Sequence, residues 1–147
     1  MKLYKNYIDG KWLESESKDI IQVDDPATGN IIGEISCAKK NEIDLAVSAA
    51  KAAFNSRILV DMPLLERGKL LHRIADETRK IADEGGKMLC YENGKMLGSA
   101  IKEFNDVADM FDYYAGLTDK LEGKTIPVSP TIFDYTVLEP FGVSAHI

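Results

Sequence analysis

Residues 30–54 read NIIGEISCAKKNEIDLAVSAAKAAF, and the period of their apolar positions changes part-way along. NIIGEIS is short, rich in isoleucine and strand-like. From Asn41 the spacing turns helical: Ile43, Val47, Ala50 and Phe54 recur every three or four residues, with Asn41 placed to cap the helix. Toward the N-terminus the chain is extended, in NYIDGKWL (6–13) and DIIQVDD (19–25). Asp9-Gly10 is a hairpin-turn pair, and Pro26 to Gly29 form a second turn in which Gly29 is free to take positive φ.

Toward the C-terminus the helical period continues. Pro63 is suited to open a second helix, with Leu70, Leu71, Ile74, Thr78 and Ile81 as its inner stripe and Gly85-Gly86 as its break. A short third helix ends at Asn93-Gly94, a pair fit for a left-handed cap. In the fourth, Ile101, Phe104, Ala108, Phe111 and Ala115 lie opposite Lys102, Glu103, Asp106 and Asp109. From Gly123 the period is lost, and KTIPV and IFDYTVLE flank Ser129–Thr131 as a second hairpin. Strands, then helices, then strands make the chain α+β: an N-terminal β-hairpin, four helices and a C-terminal β-hairpin.

Composition removes several function classes. A formal net charge of -6, with basic and acidic residues interleaved, argues against a nucleic-acid partner. No apolar run is long enough to span a bilayer, and MKLYKNYIDGKW lacks a signal-peptide core, so a cytoplasmic location without membrane attachment is expected. Cys37 and Cys90, the only cysteines, form no C-x-x-C pair and read as buried, inert thiols. GLTDKLEGKT (116–125) fails as a phosphate loop, because six residues instead of four separate its glycines and it follows a helix. No G-x-G-x-x-G fingerprint, G-x-S-x-G elbow or H-E-x-x-H is present. His72 reads as a partly buried structural residue among Leu70, Leu71 and Ile74. Residue chemistry alone offers no catalytic constellation.

The chain as a whole nevertheless resembles the N-terminal portion of the NAD(P)-dependent aldehyde dehydrogenase superfamily. The resemblance rests on YIDGKW (7–12), DPATGNIIGEI (25–35), EIDLAVSAAKAAF (42–54), ERGKLLHRIAD (66–76), ENGK (92–95), YYAGLTDKLEGKTIP (113–127) and LEPFGV (138–143), in the family's order and at near-family spacing. The chain departs at NSRILVDM (55–62), where relatives often carry a tryptophan, and at Gly85-Gly86.

The resemblance implies part of the aldehyde dehydrogenase-like α/β fold. Residues 1–124 would be the N-terminal part of the cofactor-binding domain, and residues 125–147 the start of an oligomerisation hairpin. Full-length relatives oxidise an aldehyde to a carboxylic acid: a cysteine thiolate attacks the carbonyl, a backbone N–H and an asparagine amide hold the oxyanion, hydride passes to NAD or NADP, and a glutamate activates water. All of these groups correspond to positions beyond Ile147. No catalytic or cofactor-binding residue is therefore assigned, the chain is expected to be inactive and to bind no NAD alone, and it reads as a piece of a larger protein. Two features carry over. A monovalent cation site maps to Val23, Asp24 and Glu92, whose oxygens suit a hard cation. A substrate-tunnel lining maps to Lys102 and Asp106, although a solvated helix face explains that pair equally well. Homo-oligomerisation through residues 125–147 is expected. A stand-alone, non-catalytic assembly or interaction module is the alternative reading. Without downstream partners, Phe104, Phe111, Tyr135 and Val137 are expected to expose apolar area.

Overall fold

The structure is a computed structural model that describes residues 2–146. Its first strand, β1 (Leu3–Tyr4), is too short to leave a pattern in the sequence. β2 (Asn6–Ile8) and β3 (Lys11–Leu13) form the first hairpin. Asp9 and Gly10 make its turn, both at positive φ (50° and 75°), as a two-residue primed turn requires. Tyr7 and Trp12 are cross-strand partners, with ring centroids 4.9 Å apart.

β4 (Ile20–Asp24) and β5 (Ile31–Ser36) pair antiparallel, and β1 joins β5 in parallel, giving a mixed sheet of order β1-β5-β4. The β4–β5 turn is built by Asp25. Its carboxylate accepts the Ala27 N–H at 2.9 Å and the Thr28 hydroxyl at 2.9 Å, while Gly29 takes φ 71°. The register slips between Val23 and Asp24, so the ladder carries a bulge just before the turn.

Helix α1 (Lys40–Asn55) has Lys39, not Asn41, at its N-cap. The reason is Glu42, whose carboxylate reaches back to the Lys39 N–H at 2.9 Å and satisfies an orphan donor from within the first turn. Helix α2 (Leu64–Lys80) starts immediately after Pro63. The break then falls at Ile81, and Gly85-Gly86 lie inside α3 (Ala82–Asn93) instead of ending α2. Packing explains this. A Cβ on Gly86 would sit 2.6 Å from Ile101 Cγ1 and 2.9 Å from Ile101 Cα, and one on Gly85 would enter the Phe104 ring at 2.3 Å. The glycines are the seat on which α4 (Leu97–Ala115) lies. Gly94, at φ 71°, ends α3 with the left-handed cap that the sequence announces.

α4 is the hub, with α2 and α3 packed against it. The seam is made of small residues: Ala75, Ala82, Ala100, Ala108 and Ala115 are buried, and no large side chain is completely so. Ile101, Phe104 and Phe111 are half-buried on the same side, so the α4 stripe is as expected, and neither phenylalanine is among the exposed apolar residues. α1 behaves differently. Its stripe faces solvent, with Ile43, Val47 and Phe54 at 54%, 49% and 40% exposure, and its main contact is β2. β6 (Thr125–Ser129) and β7 (Ile132–Tyr135) form the C-terminal hairpin, with every residue exposed. Tyr135 and Val137 are exposed as expected, but the strand stops at Tyr135 short of Glu139. No described helix is long and apolar enough to cross a membrane.

Candidate functional site

The β4–β5 turn lies against the end of α3: a Cβ on Gly94 would come within 3.3 Å of Pro26 Cγ. A cleft of about 410 Å³ lies between the mixed sheet and α3. Its walls are Tyr4 of β1, Val23 of β4, Ile32, Gly33 and Ile35 of β5, and Met88, Tyr91 and Glu92 of α3. Gly33 is buried because the Tyr4 ring occupies the space over it, 3.2 Å from where a Cβ would be.

Val23 and Glu92, from opposite halves of the sequence, thus share one cleft. Asp24 adjoins Val23 at the bulge but does not line it. Glu92 is the only ionisable carboxylate among the lining residues and sits in the last turn of α3, where exposed helix carbonyls add partial negative charge. Hard oxygen donors in a negative field suit a small cation. No group of three or more His, Cys, Asp or Glu able to hold a metal occurs among the described residues.

Lys102 and Asp106 are on the exposed side of α4, and the Lys102 ammonium donates to both Asp106 oxygens at 2.6 Å. They pair with each other one helical turn apart, and neither lines the cleft at Glu92 or the one at His72. Cys37 and Cys90 are half-buried free thiols.

A second cleft, about 440 Å³, opens between α2 and the end of α4 beside Gly68, His72, Ala115 and Thr118. His72 is exposed, not partly buried, because its ring turns outward to Asp112, Nδ1 lying 2.6 Å from Oδ1. The Arg79 guanidinium donates to Asp112 and Asp109, each at 2.6 Å. The bond to His72, and then that to Arg79, hold the Asp112 carboxyl below the usual carboxylate range. This network joins α2 to α4 over a sequence separation no pattern rule can bridge. Exposed pairs of this kind contribute little to stability.

The buried polar centre lies elsewhere. The Glu42 carboxylate, at the start of α1, accepts the Ser15 hydroxyl at 3.0 Å, the Glu16 N–H at 2.7 Å and the Lys39 N–H at 2.9 Å. These donors, the Glu16 and Lys39 amides first, lower its pKa from 4.5 to about 2. It ties the loop after β3 to α1, a structural task.

Compared with known families, residues 12–147 match the model of the aldehyde dehydrogenase family. The chain belongs to that family. Among curated aldehyde dehydrogenases it is 37% identical over 149 residues to human retinal dehydrogenase 2, covering 100% of this chain and 29% of that protein. It is 37% identical to the peroxisomal aminoaldehyde dehydrogenase 1 of Pisum sativum, covering 96% of the chain and 29% of that relative. Among solved structures, an aldehyde dehydrogenase variant from Bacillus cereus superposes with a TM-score of 0.82 at 29% identity, over 91% of this chain and 28% of that one. Betaine aldehyde dehydrogenase from Staphylococcus aureus, in complex with NAD+, gives 0.78 at 31% identity, over 86% of this chain and 25% of its own. The chain therefore spans the N-terminal 29% or so of the curated aldehyde dehydrogenases it matches, and it is an α+β portion of their fold.

Proposed function

We propose that this chain forms the N-terminal part of an NAD(P)-dependent aldehyde dehydrogenase, a unit that oxidises an aldehyde to a carboxylic acid. The observation that carries the reading is the family match over residues 12–147, combined with coverage of only 29% of a full-length relative. Residues 1–124 serve as the first part of the cofactor-binding domain, and residues 125–147 begin an oligomerisation hairpin. NAD or NADP supplies the hydride acceptor of the whole enzyme. The described residues do not fit that dinucleotide by themselves: the β5-to-α1 connection runs through Cys37, Ala38 and Lys39, with no glycine-rich turn to receive a pyrophosphate.

Alone, the chain is inactive. With NAD or NADP and a panel of aldehydes, NADH or NADPH formation is expected to stay at background, and calorimetry to detect no dinucleotide binding. Turnover above background overturns this reading.

Val23, Asp24 and Glu92 are the proposed monovalent cation site, supported by the shared cleft of Val23 and Glu92. Sodium or potassium is expected to raise the melting temperature above that in a matched organic-cation salt, by linkage, and Glu92→Gln to erase the difference. Equal melting in all three salts removes the assignment. Lys102 and Asp106 are proposed to face the aldehyde entrance of the whole enzyme. A stand-alone assembly module is the second reading, favoured by the fully exposed β6–β7 hairpin.

A further inference from the structure

Of the 16 residues of α1 only Glu42 is buried, and Ala49, two turns further along the same side, is half-buried. The side that rests on the chain is therefore not the apolar one. Ile43, Val47, Ala50 and Phe54 lie about a third of a turn away from it and are exposed. A helix of this length is marginal in water unless its apolar stripe packs against something. The C-terminal tail reaches the stripe at one end, where a Cβ on Gly142 would lie 3.5 Å from Phe54 Cε1, and the rest stays open. The stripe has the spacing of a helix-pairing seam, its members following one another at four, three and four residues. Its two flanks differ. Asp44 and Lys51 share one flank, seven residues apart, and Ala46 and Ala53 share the other.

We infer that a second copy of this chain covers α1, the two helices packing antiparallel with Asp44 of each beside Lys51 of the other. In that arrangement Ile43 meets Phe54 of the other copy and Val47 meets Ala50, each contact made twice by symmetry. The alanine flank lets the two backbones approach, while the charged flank supplies two opposite-sign pairs. A parallel pair sets Lys51 beside Ala46 instead, and it aligns the two helix dipoles head to head. Both charges are available for the contact. Lys51 makes no ion pair among the described residues, and Asp44 has only its exposed pair with Lys40. Burying the stripe recovers transfer free energy that solvent exposure forfeits. Little ordering opposes it, because Glu42 already fixes the first turn of α1. The paired helices are about 24 Å long. Such a contact is small for a specific interface, below about 1,200 Å² in total, so it is weak and acts together with the exposed β6–β7 hairpin. The inference does not depend on the family reading.

Sedimentation equilibrium of the 147-residue chain tests the contact. Val47→Asp, which places a carboxylate in the seam, should weaken self-association about tenfold or more. Leu65→Asp is the control, because Leu65 is exposed and apolar but lies on α2, and it should leave association unchanged. Asp44→Lys and Lys51→Asp should each weaken association several-fold, since each sets like charges side by side across the pair. An equal mixture of those two variants should associate about as tightly as the parent, because every flank pair between them is again of opposite sign. Far-UV circular dichroism should show the same helix content throughout, since all four positions are exposed. A monomeric parent overturns the inference, as does Val47→Asp behaving like Leu65→Asp. So do charge variants that associate like the parent, and a mixture that associates no more tightly than either variant alone.

Discussion

Glu42 is a carboxylate whose work is done by two oxygens in a confined place. Oε1 gathers Ser15 and Glu16, and Oε2 holds Lys39, so one side chain joins the loop after the first hairpin to the first turn of α1. The folded carboxyl titrates at about 2 and the unfolded one at 4.5. Its contribution to stability is therefore complete above about pH 4.5 and is lost as the pH falls toward 2. Glu42→Gln should melt at a lower temperature at pH 7, because the amide NH2 meets N–H donors instead of accepting from them. The difference from the parent should shrink between pH 4.5 and pH 2, followed by thermal melts at stepped pH. Parallel melting curves across that window would show that the carboxylate does not couple to folding. Glu42 was legible only as one acid among many in EIDLAVSAAKAAF, because its partners at Ser15 and Glu16 lie 27 and 26 residues away.

At the scale of elements, two glycines of similar appearance have opposite meanings. Gly86 is closed in by the Ile101 backbone, whereas Gly98, in the first turn of α4, has nothing within 4 Å of where its Cβ would be. Gly86→Ala should destabilise the chain by about 1–3 kcal/mol, since α3 and α4 must separate and that outweighs the helical preference for alanine. Gly98→Ala should stabilise it by roughly 0.5 kcal/mol through reduced freedom of the unfolded chain. Denaturant titrations of both variants check the pair, and equal effects would show that the α3–α4 seam is not closely packed. The same seam explains why Gly85-Gly86 misleads as a helix break. Propensity disfavours glycine in a helix by about 1 kcal/mol, but tertiary packing supplies more where helices touch. By contrast Asp9-Gly10, Gly29 and Gly94 were readable directly, because each answers a local demand for positive φ.

The whole molecule is organised around surface that it does not cover. The exposed β6–β7 hairpin and the solvent-facing stripe of α1 should make the chain associate at micromolar concentration. Light scattering coupled to size exclusion is expected to report more than one chain, and a chain ending at Lys124 to lose that assembly or aggregate. A monomer from the full 147 residues would remove the hairpin as an oligomerisation element. The sequence by itself determined the order of the elements after β1, the two hairpins, the turn chemistry, the inner stripe of α4 and the family, because each rests on local period, local φ or motifs in order. Tertiary structure alone decided that β1 joins β5, that Val23 and Glu92 share a cleft, that His72 turns out to Asp112, and that the apolar stripe of α1 meets water. Those outcomes depend on contacts between residues tens of positions apart. Periodicity identifies which face of a helix or strand is apolar, but the chain path decides whether anything lies against it.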